Sequence, residues 1–343
     1  MMQTKDFDYN LNKKLIAYHP PKVRGTSRLL VLNKQSGSIT DDYYKNIVDY
    51  LNSRDVLVLN DTKVIPARIR VTTSQNKLIN ILLLEEHGTN LKWFKHQIMY
   101  PGKLKLGEIL TSLGGQKIKV TKILGDGLAL VESENNLLTL SEKEGKVPLP
   151  PYIKRETTLE DSERYQTMWA KKIGSVAAPT ASLNMTPEIL AKIEAKGIKV
   201  TKLTLHVGIG TFMPIRVDEL KNHKMHQEYF EIPLSTIKAI QSAKNKGNKI
   251  VALGTTVARS LEYASDKILF EHSKIQGEAD IFIYPGYKFK VVDTLITNFH
   301  APKSTVLMLT AAFSNWEKLK KAYDHAQSNN YQLLSFGDSM LIY

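Results

Sequence analysis

From Asp55 the chain turns wholly apolar over Val56-Leu-Val-Leu59 and then polar at Asn60-Asp61-Thr62. A short continuous apolar run is the pattern of a strand buried on both faces. Polar residues just past such a strand stand where open α/β sheets hold ligands. Between Ala67 and Pro151 the helical period disappears. Residues 79–84, 117–123 and 128–131 read as strands, and Gly125-Asp126-Gly127 as the hairpin turn between the last two. This stretch predicts a small all-β module that leaves through the rigid Pro148-Leu-Pro-Pro151. After Tyr165 the texture is α/β. Thr186-Pro187-Glu188 starts a helix that stops at Gly197, and residues 198–205 follow as a strand. Ser235 opens a second helix, Gly247 closes it, and residues 249–253 form the next strand. Ser314-Asn-Trp-Glu317 has capping-box spacing ahead of a last, basic helix. The simplest architecture is a mixed α/β (α+β) domain of residues 1–66 and 152–343, interrupted by a β domain at 67–151.

The 343 residues carry 47 Lys+Arg against 34 Asp+Glu, a formal charge of +13. Such a surplus fits a polyanion partner such as RNA, or an evenly spread surface charge that aids solubility. Charge alone does not choose between them. The absence of cysteine excludes disulfides, thiolate nucleophiles, iron–sulfur clusters and Cys-ligated zinc. The first ten residues hold Asp6 and Asp8 and no apolar run, and residues 305–313 fall far short of the roughly 18 that a membrane span needs. The expected setting is the cytoplasm, with no membrane contact and a monomeric chain. GxxxxGK[ST], GxGxxG, HExxH and GxSxG are all missing. Of nine histidines only His223 and His226 stand close together, so no metal site is expected.

Five polar clusters lie at predicted strand ends. The first joins Arg164-Tyr165-Gln166-Thr167 to the small-residue loop Gly174-Ser175-Val-Ala-Ala-Pro179-Thr180. Such a loop either lets a backbone approach a ligand or simply packs a tight turn. The second, His206-Val-Gly-Ile-Gly-Thr211, places an imidazole after a strand, where it can exchange protons near neutral pH or serve as a half-buried structural histidine. In the third, His226 and Glu228 share a face if the segment is extended. The fourth, Gly254-Thr255-Thr256-Val-Ala-Arg259, is a strand–turn–helix step that offers an anion seat or only a hydroxyl cap. The fifth runs from Asp280 through Tyr284 to Asn298-Phe-His300-Ala-Pro-Lys303 and mixes aromatic, basic and hydrogen-bonding groups. These either stack a nucleobase or form core edges.

Together these strings resemble the S-adenosylmethionine:tRNA ribosyltransferase-isomerase family of queuosine biosynthesis. The likeness spans nearly the whole chain. It includes Asp6-Phe-Asp-Tyr9, Asn60-Asp-Thr-Lys-Val-Ile-Pro-Ala-Arg68, Pro101-Gly-Lys103, Leu149-Pro-Pro-Tyr152, Glu163-Arg-Tyr-Gln-Thr167, residues 174–181 and 206–212, Met225-His226, Gly254-Thr-Thr256, Tyr284-Pro-Gly-Tyr287, residues 297–305 and Ser335-Phe-Gly-Asp338. The resemblance implies a mixed α/β domain with an inserted β-barrel. It also implies transfer of the S-adenosylmethionine ribosyl group to 7-aminomethyl-7-deazaguanine at the tRNA wobble position. The sugar is rearranged to an epoxycyclopentanediol, and adenine and methionine leave. S-adenosylmethionine is then a cosubstrate, with no bound cofactor.

Where the family typically has histidine this chain has Asn184; Ala301 replaces a usual Leu, Tyr100 a basic residue and Asn33 an Asp. Asn184 cannot exchange a proton at neutral pH, so it serves as a substrate contact or marks altered chemistry. The base expected on this reading is His206, followed by His226 with Glu228, then His300. Asp280 or Glu228 would face the sulfonium. Arg259 with Thr255 and Thr256 would hold the methionine carboxylate. Arg164, Tyr165, Gln166, Ser175, Thr180, Thr211, Tyr284, Asn298 and Lys303 complete the expected binding set. Two other readings stand beside this one: a paralogue using S-adenosylmethionine on a different RNA or small molecule, and a non-catalytic RNA-binding protein.

Overall fold

The computed structural model describes residues 2–87, 93–208, 210 and 215–343. The first part supplies β1 (Arg28–Leu32), β2 (Ile39–Tyr43), β3 (Val56–Asn60) and β4 (Thr62–Val64). Next come β5 (Arg68–Thr72), β6 (Leu78–Leu83), β7 (Lys95–Met99), β8 (Ile109–Ser112), β9 (Lys117–Gly125) and β10 (Leu128–Glu132), then helix α1 (Leu137–Glu144). The return begins with α2 (Leu159–Arg164), β11 (Lys172–Ser175), α3 (Pro187–Ala195), β12 (Lys199–Leu205) and β13 (Glu228–Ile232). It continues with α4 (Leu234–Asn245), β14 (Ile250–Leu253), α5 (Thr255–Tyr263), α6 (Ser265–Ile268) and β15 (Ile275–Ala279). β16 (Thr294–Asn298), α7 (Thr305–Ser314), α8 (Trp316–Ser328) and β17 (Ser339–Ile342) complete the chain.

Nine strands form one mixed sheet in the order β15-β13-β12-β3-β14-β16-β17-β1-β2. Its centre, β12-β3-β14-β16, is parallel. All five residues of β3 are buried, because alternate side chains enter two cores. Val56 and Val58 pack with Ile237 and Ile240 of α4, while Leu57 and Leu59 pack with Ile189 and Ile193 of α3. Six antiparallel strands, β10-β7-β6-β5-β8-β9, close into a barrel, as the resemblance implied. In β5, Ile69 and Val71 point inward while Arg68 and Arg70 point to solvent. The turn at Gly125-Asp126-Gly127 has positive φ throughout, the geometry of a tight hairpin.

Two local expectations change. The 67–151 stretch is not all β: α1 follows the barrel, its first amides accepted by the Asn136 side chain, with Leu137, Leu140 and Ser141 buried. Eight residues with so short an apolar stripe give almost no periodic signal. The last helix is capped by Asn315 rather than Ser314; Asn315 Oδ1 accepts from Glu317 and Lys318 while Ser314 ends α7. Asn315 holds φ at 84°, a region asparagine tolerates better than serine.

Candidate active site

The parallel strands β14 and β16 deliver two loops to one end of the sheet, and each loop runs straight into a helix. After β14, Gly254 turns with φ of 102° and caps α5 without a side-chain hydrogen bond. Neither threonine is therefore a plain cap, and the first amides of α5 stay directed outward. After β16, Ser304 caps α7, its Oγ accepting from the amide of Leu307. Two helix N-termini thus converge on a cavity of about 320 Å³. Its wall is completed by Tyr152, residues 177–181, Val207, residues 297–303 and residues 334–335.

Six of the expected site residues line it: Thr180, Thr255, Thr256, Asn298, His300 and Lys303. His300 lies with Nε2 2.8 Å from Thr297 Oγ1. Burial pushes its imidazole down to about 3, so it is neutral at neutral pH. The N-terminal segment holds this loop in place. Tyr9 Oη donates to the His300 carbonyl, the Lys303 amide donates to the Phe7 carbonyl, and Lys303 Nζ pairs with Asp8 at 2.6 Å. These contacts stabilise Lys303 at φ of 58°, an unfavourable conformation for a residue with a side chain.

His206 faces the other way. Val207, not His206, lines the cavity. His206 Nδ1 lies 2.8 Å from Thr62 Oγ1, its ring stacks on Tyr229, and a side chain at Gly174 would sit 2.8 Å from Nε2. Burial, reinforced by the nearby charge of His87, lowers its pKa to about 4. Beyond it, His87 bridges Glu278 at 2.9 Å and Glu85 at 3.5 Å, and these carboxylates raise its pKa to about 9.

The other expected residues that the structure describes lie outside the lining of that cavity. Glu228 Oε1 accepts from the Gly208 amide and Oε2 pairs with Arg259 at 2.7 Å. His226 is exposed and precedes β13, whereas Glu228, its first residue, is buried. Arg259 Nη2 also donates to the carbonyls of Ala279 and His226. Asn184 donates to Gly337 O and Ser339 Oγ and accepts from Ser27 Oγ, away from the cavity. Gln166 pairs with the backbone of Val64 through both ends of its amide, and Arg164 donates to the Pro21 carbonyl. Tyr165 is wholly buried against Phe336, and Ser175 Oγ donates to the Ala177 carbonyl. Asp280 is exposed, and Tyr284 stacks on Phe282 outside the cavity. Thr211 lies outside the described residues.

Sequence reasoning passed over Tyr152 and Ser335. The Ser335 amide donates to Tyr152 Oη, and Tyr152 Oη bonds Ser335 Oγ, closing one wall of the cavity. Both residues stood in strings that carried the family resemblance, which was the available signal.

The profile described as "Queuosine biosynthesis protein" matches residues 4–342. The chain belongs to that family. A protein of Chlorobium chlorochromatii named S-adenosylmethionine:tRNA ribosyltransferase-isomerase is 48% identical over 99% of this chain and 100% of its own length. One of the same name from Francisella tularensis subsp. mediasiatica is 43% identical with complete coverage of both. The crystal structure of S-adenosylmethionine tRNA ribosyltransferase from Thermotoga maritima superposes with a TM-score of 0.58 at 33% identity, covering 98% of this chain and 100% of that one. Among the described residues no group of three or more His, Asp or Glu side chains is placed to hold a metal. No helix among them is long and apolar enough to cross a membrane.

Proposed function

We propose that this chain transfers and isomerises the ribosyl group of S-adenosylmethionine onto 7-aminomethyl-7-deazaguanine at the wobble position of tRNA. Adenine and methionine leave, and epoxyqueuosine is formed. Family membership supports the reaction class. The observation that carries the reading to a site is the cavity where two helix N-termini meet a neutral imidazole.

The sulfonium of the donor acidifies its neighbouring ribose carbon. His300, which lines the cavity, takes that proton; ring opening expels adenine, the nucleobase amine adds to the opened sugar, and methionine leaves from the sulfonium as the epoxide closes. Thr180, Thr255, Thr256 and Asn298 fix the donor against the base, converting an encounter of two large substrates into a positioned reaction. Lys303 stands at the rim, where RNA phosphate would approach. His206 supports the same site from behind by fixing the loop that carries Val207.

Asn184 motivated the reading as a paralogue with another substrate. Its side chain is fully engaged outside the cavity, so that motive does not extend to the reacting groups. The test is incubation of the pure protein with S-adenosylmethionine labelled in adenine and with precursor tRNA. Adenine release that requires the tRNA supports the function; its absence overturns it.

A further inference from the structure

At the end of the sheet opposite the cavity, two open hollows of about 410 and 420 Å³ lie side by side and share Asn248. β14 and β16 start at this end, just after Lys249 and Asp293, and run towards Gly254 and His300 at the other. Lys34, Lys244 and Lys249 line the first hollow together with Asp293. Arg54, Lys199 and Lys246 line the second, with Ser242. Six cations therefore meet one carboxylate side chain among the described lining residues. That carboxylate is already engaged: both Asp293 oxygens accept from Lys244 Nζ, and Oδ2 also accepts from the Ile250 amide. Asp55, buried nearby, accepts from the amides of Asn52 and Lys249.

Arg54, Lys199, Lys246 and Lys249 are exposed, and no ion pair or side-chain hydrogen bond engages them among the described residues. Their charge is felt next door. Burial lowers the pKa of Lys34, and Lys249 and Lys244 lower it further against the opposing pull of Asp293. The C-terminal end of α4 accounts for Lys244 and Lys246, because cations are favoured there. It does not account for Lys199, which opens β12, or for Arg54, two residues ahead of β3. Arg54 holds φ at 74°, a conformation that glycine adopts freely and a residue with a side chain resists. A guanidinium kept on such a turn points to a use for the guanidinium.

Between the cations of the second hollow the floor is small and apolar, made of Val56, Ala239 and Ala243. Apart from Ser242 and Asn248, its polar side chains are donors only, so it suits a ligand rich in acceptors and negative charge. Lys199 and Lys249 flank β3 on its two neighbouring strands, with backbones about 10 Å apart at about 4.8 Å per strand. A single phosphate or carboxylate does not bridge that span; a chain of linked phosphates does.

We propose that this end of the sheet binds a free oligophosphate, a chain of linked phosphates, at a site separate from the cavity. An RNA whose base enters the cavity approaches the opposite ends of the same strands, so the ligand here is a small, free one. The inference does not depend on the proposed function.

The experiment is calorimetric titration of the full chain, in metal-free buffer, with inorganic tripolyphosphate, orthophosphate and succinate. Tripolyphosphate should bind, with orthophosphate and succinate about tenfold weaker or worse. Arg54→Gly should weaken tripolyphosphate about tenfold while the melting temperature stays near that of the parent, because glycine fits the turn. Lys199→Gln should weaken it similarly, and Lys303→Gln, at the cavity rim, should leave it unchanged. Filter binding of tRNA should be unaffected by Arg54→Gly and Lys199→Gln combined. Absent tripolyphosphate binding, equal affinity for succinate, or a loss in Lys303→Gln as large as in Arg54→Gly overturns the site. A tenfold loss of tRNA affinity in the combined variant also overturns it, by assigning these cations to the RNA backbone.

Discussion

Glu228 Oε2 lies 2.7 Å from Arg259 Nη1, with both side chains buried. This pair ties the start of β13 to the middle of α5, while Glu228 Oε1 reaches the Gly208 amide on the loop after β12. Three elements around the site therefore depend on one carboxylate. Removing one partner of a buried pair leaves an uncompensated charge, at a cost of about 3–5 kcal/mol. Glu228→Gln should lower the unfolding free energy by about that amount, measured by urea titration with unchanged m. A loss within experimental error of zero would mean that Arg259 is held by its carbonyl partners alone.

Stability should depend on pH in two separate windows. His206 and His300 have folded values near 4 and 3, below the unfolded value, so the unfolded chain binds more protons as pH falls. Their contribution is present above about 6.5 and is lost as pH drops towards 4. His87 behaves oppositely. Its folded value near 9 means its contribution is complete below about 6.5 and disappears as pH rises through 9. Denaturant midpoints from pH 4 to 10 should fall at both ends, and His87→Gln should flatten the alkaline limb only. An unchanged alkaline limb in that variant would refute the assignment to His87.

His300→Gln should reduce single-turnover ribosyl transfer by about a hundredfold or more, while tRNA binding persists. His206→Gln should disturb stability more than chemistry, because its ring contacts Thr62 and Tyr229 rather than the cavity. Rapid quench of both variants at saturating substrate separates them. The opposite ranking would place the base on the other face of the loop.

The central parallel strands and their polar ends were legible in the sequence, because a continuous apolar run followed by Asn, Thr or His has a direct physical meaning. Thr255, Thr256, Asn298 and His300, singled out on that ground, line the cavity. The direction of His206 was not legible: it and Val207 follow β12, and the pattern does not say which of the two meets the cavity. Glu228 and Arg259 resembled catalytic groups because a one-dimensional pattern does not reveal that a carboxylate and a guanidinium satisfy each other. Tyr152 and Ser335 are 183 residues apart, and no local periodicity reports such a contact. The Phe7, Asp8 and Tyr9 contacts to the His300 loop were hidden for the same reason.

Asn184 illustrates the difference between a departure from a family pattern and a change in chemistry. Its side chain accepts one hydrogen bond and donates two, linking the residue before β1 to the segment that enters β17. Asn184→Ala should cost about 3 kcal/mol of stability by leaving these buried groups unpaired, with KM for S-adenosylmethionine unchanged in steady-state assays. A KM raised tenfold in a fully folded variant would place Asn184 in the donor site.

The most direct test of the account is a crystal structure with S-adenosylmethionine bound. It should show the ribose and sulfonium in the cavity between Thr180, Thr255 and His300, with the ribose carbon beside the sulfur facing the His300 imidazole. Donor density on the opposite side of the 206–208 loop, against His206, Glu85 and His87, would contradict it.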